Sequence, residues 1–266
     1  MRKFTSLLLT ILLLILFHSG CTSAEFSGDI PFANDSSPIV KAHGIDVSKW
    51  QGEIDWKKVK DDGIDFAMIR IGYRGEDGKI YKDEYADYNI QKALDAGLLI
   101  GIYFFSTAVS EQEATEEALW TFNNIKYYPI SYPVAYNCEG YTAVTSRMKN
   151  LSVSQRTDNA IAFMTKIKEL GYEPMMYSSV KEYLLYWDTS TIEKGFKIWV
   201  ARYSEPSYPK IENPQYIGKY DMWQYSNTAS ISGINGNVDV NVSYFLPEAA
   251  SAKTTDIPPV ATLPNE

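Results

Sequence analysis

Eight short apolar runs, rich in β-branched and aromatic residues, punctuate the middle of this chain, and stretches of helical spacing lie between the early ones. The runs are Gly44–Val47, Phe66–Ile71, Leu98–Phe105, Pro133–Cys138, Pro174–Tyr177, Lys197–Ala201, Asp221–Tyr225 and Val238–Val240. Their length and composition mark them as strands. Asp83–Ala96, Ser110–Ile125 and Ser152–Leu170 have the spacing of helices. Ser110 with Glu113, and Ser152 with Gln155, have the spacing of capping boxes, and Gly97 and Gly171 stand where helices stop. Strands alternating with helices favour an α/β fold with a parallel sheet and the helices outside it. Eight strands is the number that closes a β/α barrel. Connections after about residue 200 are short and rich in Pro and Gly, so the expected fold is an irregular TIM-like β/α barrel with fewer helices in its last third.

Both ends of the 266 residues fall outside this pattern. Arg2 and Lys3 precede an apolar stretch from Leu7 to Phe17, broken only by Thr10. About eleven residues fall short of the roughly 20 needed to span a bilayer and suit the core of an export signal. Residues 1–20 are therefore expected to be a signal peptide. Ser19-Gly20-Cys21 resembles the cleavage box of bacterial lipoprotein signals, although His18 departs from the usual aliphatic residue. The resemblance implies acylation of Cys21 and anchorage at the outer face of a bacterial membrane; the other reading is an ordinary secretory signal with an incidental cysteine. Residues 21–40 are rich in Ser, Gly, Asp and Pro and read as a flexible tether, and 248–266 as a disordered tail. One domain, 41–247, remains.

What that domain can do is limited by the side chains it lacks. Two cysteines, Cys21 and Cys138, and two histidines, His18 and His43, leave no disulfide scaffold and no cysteine- or histidine-rich metal centre to build. No metal or organic cofactor is expected. A formal net charge of -8 argues against a nucleic acid held by phosphate neutralisation. Chemistry must rest on carboxylates, amides and aromatic rings. In a β/α barrel the carboxyl ends of the strands surround the active site. Those ends carry Asp46, Arg70, Tyr103 with Phe105, Asn137 with Glu139, Tyr177, Trp199, Gln224 and Asp239. Carboxyl groups at close quarters raise one another's pKa, so one can stay protonated as an acid while a neighbour is ionised. Aromatic faces suit the apolar faces of sugar rings. Acids and aromatics together have the character of a glycoside hydrolase.

Seven segments, ordered along 43–246, carry a family resemblance. They are Gly44-Ile-Asp46-Val-Ser-Lys-Trp-Gln51-Gly52, Asp65-Phe-Ala-Met-Ile-Arg70-Ile-Gly72, Gly101-Ile-Tyr103-Phe-Phe105, Tyr132-Pro-Val-Ala-Tyr136-Asn137-Cys-Glu139, Ile198-Trp199-Val-Ala201, Met222-Trp-Gln224-Tyr-Ser226 and Gly236-Asn-Val-Asp239-Val-Asn241. In register they resemble the motifs of glycoside hydrolase family 25, the muramidase-type lysozymes. The resemblance implies cleavage of the β-1,4 bond between N-acetylmuramic acid and N-acetylglucosamine in peptidoglycan strands, by a monomer. It assigns Glu139 as general acid and Asp46 and Asp239 as supporting acids; Arg70, Tyr103, Phe105, Tyr177, Trp199 and Gln224 are expected to bind substrate from their places at the mouth.

Asn137 departs from the family pattern, which usually has Asp in Asp-x-Glu. Two consequences are open. The sugar's own acetamido oxygen can attack its anomeric carbon, with Asn137 hydrogen-bonding the oxazoline in a neutral tautomer, since substrate-assisted hydrolases need no second carboxylate. Alternatively the domain is a catalytically weakened peptidoglycan-binding module, because losing a stabilising group costs on the order of 10²–10³ in rate. A third reading is an exported barrel hydrolase acting on another amino sugar.

Each residue also has a structural explanation. Asp46 can cap a turn near Ser48, and Asp239 can face solvent on an edge strand. Arg70 should point into the barrel and pair with a mouth carboxylate or form a purely structural ion pair. Tyr103, Phe105, Tyr177 and Trp199 can be core layers. Cys138 should face the helices as a buried thiol if its neighbours face the barrel. His43 reads as an ordinary surface or core histidine.

Overall fold

The computed structural model describes residues 39–203 and 212–247. The expected signal peptide, Cys21, nearly all of the tether, and the tail lie outside the described residues. Nine strands form one sheet: β1 (Ala42–Val47), β2 (Phe66–Arg74), β3 (Ile80–Lys82), β4 (Leu99–Phe105), β5 (Val134–Asn137), β6 (Pro174–Ser179), β7 (Lys197–Ala201), β8 (Met222–Ala229) and β9 (Val238–Ser243). Their order is β1-β9-β8-β7-β6-β5-β4-β2-β3, and a β1–β2 pairing closes eight of them into a barrel. β3 is a short antiparallel addition to the upper end of β2. Six helices accompany the barrel: α1 (Trp56–Asp61), α2 (Ala86–Asp95), α3 (Glu111–Ile125), α4 (Val153–Glu169), α5 (Val180–Tyr186) and α6 (Thr189–Gly195).

All eight expected strands form, and α2, α3 and α4 are the three expected helices. The short elements β3, α1, α5 and α6 lie where no strand or helix was expected, because two turns or fewer give too little periodicity to read. Among the described residues no helix follows β7, as the Pro/Gly-rich connections imply. The capping box at Ser152 forms in full. At Ser110 only half of it does: the hydroxyl accepts from Glu113 N, but the Glu113 carboxylate turns to Val109 N and to Arg147.

The sheet is not wholly parallel. β9 runs antiparallel to both β1 and β8. Only eight residues join β8 to β9, too few for the dozen or more a parallel crossover needs.

Alternation along each strand divides the core in two. In β2, Phe66 and Met68 point inward while Ala67, Ile69 and Ile71 pack under the helices. Inside the barrel floor, Phe66 stacks on Tyr132 at 4.2 Å, above Phe245. Met68, Met175 and Met222 fill the next level. This interior is full at Gly101, where a Cβ would collide with the Met68 sulfur. The barrel is therefore plugged below, and its inward positions open only at the top.

Candidate active site

The same alternation brings Asp46, Arg70, Tyr103, Asn137, Tyr177, Trp199 and Gln224 onto the upper inner wall, because each lies an even number of residues from an inward core position. They line a cavity of ≈ 250 Å³ together with Phe105, Glu139 and Asp239. All ten residues expected at the mouth are gathered there. Asp239 arrives differently from the others: it sits near the amino end of β9, which the antiparallel direction brings to the mouth. β9 lies between β1 and β8, so Asp239 is on no sheet edge.

Glu139 lies just past β5, before Gly140, whose φ of 71° turns the chain in a way that favours glycine. Burial, then the charges of Glu182 and Asp46, push its carboxyl up to about 7, so that, unlike an ordinary carboxyl, about half of it still holds a proton at neutral pH. Asp46 is 8% exposed and is not a turn cap; Ser48 caps the next turn. Asp46 Oδ2 accepts from Gln224 Nε2 and Asn241 Nδ2, each at 2.8 Å. Burial raises its pKa and these bonds oppose the rise. Asp239 is its direct partner across the β1–β9 ladder. Burial, then the neighbouring Asp46, push Asp239 up to about 8.

Asn137 is 9% exposed, and its Oδ1 has no hydrogen-bond partner. A buried acceptor left unmet is costly, and the residue that carries it lines the cavity. Arg70 points inward as expected, but pairs with Asp83 rather than with Asp46, Asp239 or Glu139: Nη2 lies 2.7 Å and Nε 2.8 Å from Asp83 Oδ2. Asp83 also accepts from Lys49 N, so this ion pair anchors the rim loop that follows β1. Trp199 and Gln224 are each 1% exposed and spend their polar groups on neighbours, Trp199 Nε1 on Asn241 Oδ1 at 2.8 Å. They support the site rather than offer open sugar platforms. Cys138 faces outward, buried against Met148. His43 is exposed, at the far end of β1.

Sequence reasoning did not single out Trp50, Tyr203 or the amide of Asn241 as site groups. Trp50 is 77% exposed on the cavity rim, in a one-turn 3-10 helix over Lys49–Gln51. Ser48 and Gln51 form a full capping box there, a spacing readable in the sequence. Tyr203 donates to Gln224 Oε1 at 2.5 Å, a contact with no sequence signal. Among the described residues, no three His, Cys, Asp or Glu side chains are placed to hold a metal ion. A larger open groove of ≈ 980 Å³ runs along α1 and α2, but its Lys57, Lys58 and Lys92 are paired with Asp61, Asp55 and Asp95.

Residues 45–234 match the model of glycosyl hydrolases family 25. Lysozyme M1 of Streptomyces globisporus is 28% identical over 211 residues, covering 74% of this chain and 66% of that protein. The bacterial lysozyme of Streptomyces coelicolor superposes with a TM-score of 0.63 at 25% identity, over 81% of this chain and 98% of that one. The modular autolysin LytC of Streptococcus pneumoniae, solved in complex with a synthetic peptidoglycan ligand, gives 0.60 at 28% identity, over 76% of this chain and 46% of that one. The chain thus spans about two thirds of the curated relative and under half of the autolysin. With the family model covering most of the chain and the barrel closing in the same way, this protein belongs to glycosyl hydrolase family 25.

Proposed function

We propose that the domain hydrolyses peptidoglycan at the β-1,4 bond between N-acetylmuramic acid and N-acetylglucosamine. The observation that carries this reading is that Glu139, whose buried carboxyl is pushed up to about 7, lines one cavity with Asp46, Asp239 and Asn137, whose side-chain oxygen has no partner. Glu139 gives its proton to the leaving glycosidic oxygen as the bond to the anomeric carbon breaks. The acetamido oxygen of the same sugar attacks that carbon, and Asn137 Oδ1 accepts the acetamido N–H. An amide oxygen cannot remove that proton, so positive charge stays on the new ring and falls to the Asp46–Asp239 pair to balance. Glu139, now a carboxylate, takes a proton from water, which opens the ring and restores the acid. Tyr103, Phe105 and Trp50 face the sugar. The same reading has Cys21 acylated, holding the domain beside the wall at the outer face of the membrane.

Purified cell wall treated with the protein should release muropeptides with reducing N-acetylmuramic acid ends, and Glu139→Gln should release almost none. Binding to wall glycan with no reducing ends from the wild type would instead favour the weakened binding module, a reading that the missing charge at Asn137 keeps specific. Fatty-acid labelling that is lost in Cys21→Ser tests the anchor.

A further inference from the structure

The hydrolysis proposed above uses Asp46 and Asp239 without saying which of them is charged. They face each other across the β1–β9 ladder and hydrogen-bond through their carboxyl groups. Two carboxyl groups in contact keep one proton between them over a wide pH range. Which oxygen holds it depends on the remaining neighbours.

Asp46 has two amide donors, Gln224 Nε2 and Asn241 Nδ2. Neither amide is free to turn round. Trp199 Nε1 can only donate, and it does so to Asn241 Oδ1, which leaves Asn241 Nδ2 for Asp46. The hydroxyls of Tyr177 and Tyr203 donate to Gln224 Oε1 at 2.8 and 2.5 Å, which leaves Gln224 Nε2 for Asp46. Trp199 is itself wedged edge-on between Tyr103 and Tyr177. Hydrogen bonds to the charged form favour it. Among the described residues no amide or cation donates to Asp239.

We propose that this network assigns the shared proton to Asp239, so that Asp46 is the standing carboxylate and Asp239 meets the substrate as a hydrogen-bond donor, with Gln224 and Asn241 as the positioning residues that fix the choice. The other titratable groups facing the pair do not reverse it. Glu139 disfavours a charge on Asp239, Tyr103, Tyr177 and Tyr203 are neutral phenols whose ionisation burial opposes, and the Arg70 charge is taken by Asp83. Near pH 6 the three mouth acids then carry one negative charge. That charge sits at Asp46, where an amide at position 137 leaves it to balance the reacting sugar. This catalytic consequence rests on the hydrolase reading; the proton assignment does not.

The test is a carboxyl ¹³C titration of the aspartate-labelled protein, with the two resonances identified by Asp46→Asn and Asp239→Asn. Between pH 5 and 7 the Asp239 carbon should report the acid and the Asp46 carbon the carboxylate. The reverse assignment, or both carbons ionised at pH 6, overturns the proposal. Asn241→Leu removes one donor at similar volume and should move the Asp46 carbon toward the acid form. It should also shift the pH profile by about one unit, equivalent to tenfold, with kcat falling more than KM changes. A profile that does not move removes Asn241 from the positioning role. Failure of the wild type to release reducing ends would sink the hydrolase reading and leave the titration result standing.

Discussion

Asn137→Leu should make the free protein more stable and the enzyme much slower. Asn137 is 9% exposed and its Oδ1 has no partner. An unmet buried acceptor costs about 1–3 kcal/mol, and an apolar group of similar shape removes that cost. Some of the gain is lost with whatever hydration the Nδ2 group retains, so a net stabilisation of about 1–2 kcal/mol is expected. At roughly 2–4 °C per kcal/mol for a domain of this size, the melting temperature should rise by about 2–8 °C. Turnover should fall by about 10²–10³, the typical loss when a preorganised hydrogen-bonding group at the reacting centre is removed. The assay is a pair of measurements on one preparation: a thermal melt followed by circular dichroism, and reducing-end release from purified wall. A variant that melts lower and works as fast as the wild type would refute both halves of the reasoning. Asn137→Asp separates the two readings of the amide, because a large gain in rate marks a decayed site whereas a loss marks an amide that belongs to the mechanism.

Activity should decline as pH rises through about 7, where Glu139 loses the proton it must donate, and Glu139→Gln should cost about 10²–10⁴ in kcat while wall binding in a pull-down persists. Glu139 and Asp239 have pKa values raised above those of ordinary carboxyls, so their contribution to stability is present at low pH and is lost as pH rises through their folded values. The melting temperature should therefore fall between about pH 5 and 8, and Asp239→Asn should flatten that slope. Arg70→Met should destabilise by about 3–5 kcal/mol in urea unfolding, because it strands the fully buried carboxylate of Asp83. A loss under 1 kcal/mol would show that water reaches Asp83 readily.

The strands were legible because buried β-branched and aromatic runs leave a mark that survives any arrangement of the chain. Their directions were not. Direction depends on the length of the connection, and the eight residues between β8 and β9 are what turn β9 round. The acids were legible too, since Glu139 and Asp46 end strands and residues at strand ends converge in a closed barrel. Arg70 was half legible: alternation gave its inward direction, but its partner Asp83 follows β3, an element too short to announce itself.

The reversal of β9 also explains why the supporting amide was missed. On a parallel strand, residues beyond an acid at the mouth would climb away into the loop. On β9 the chain descends after Asp239, so Asn241, two residues later on the same inner face, lies one layer below the mouth. At that depth it meets Trp199 from β7 and Asp46 from β1, and a side chain that reads in sequence as a polar residue in an alternating strand becomes the fixed donor beneath a carboxylate. The short β8–β9 connection thus does two things with one geometry. It presents Asp239 at the rim, and it buries the amide that keeps Asp46 charged. If β9 were lengthened by a helix and made parallel, both residues could keep their identities and neither could keep its place.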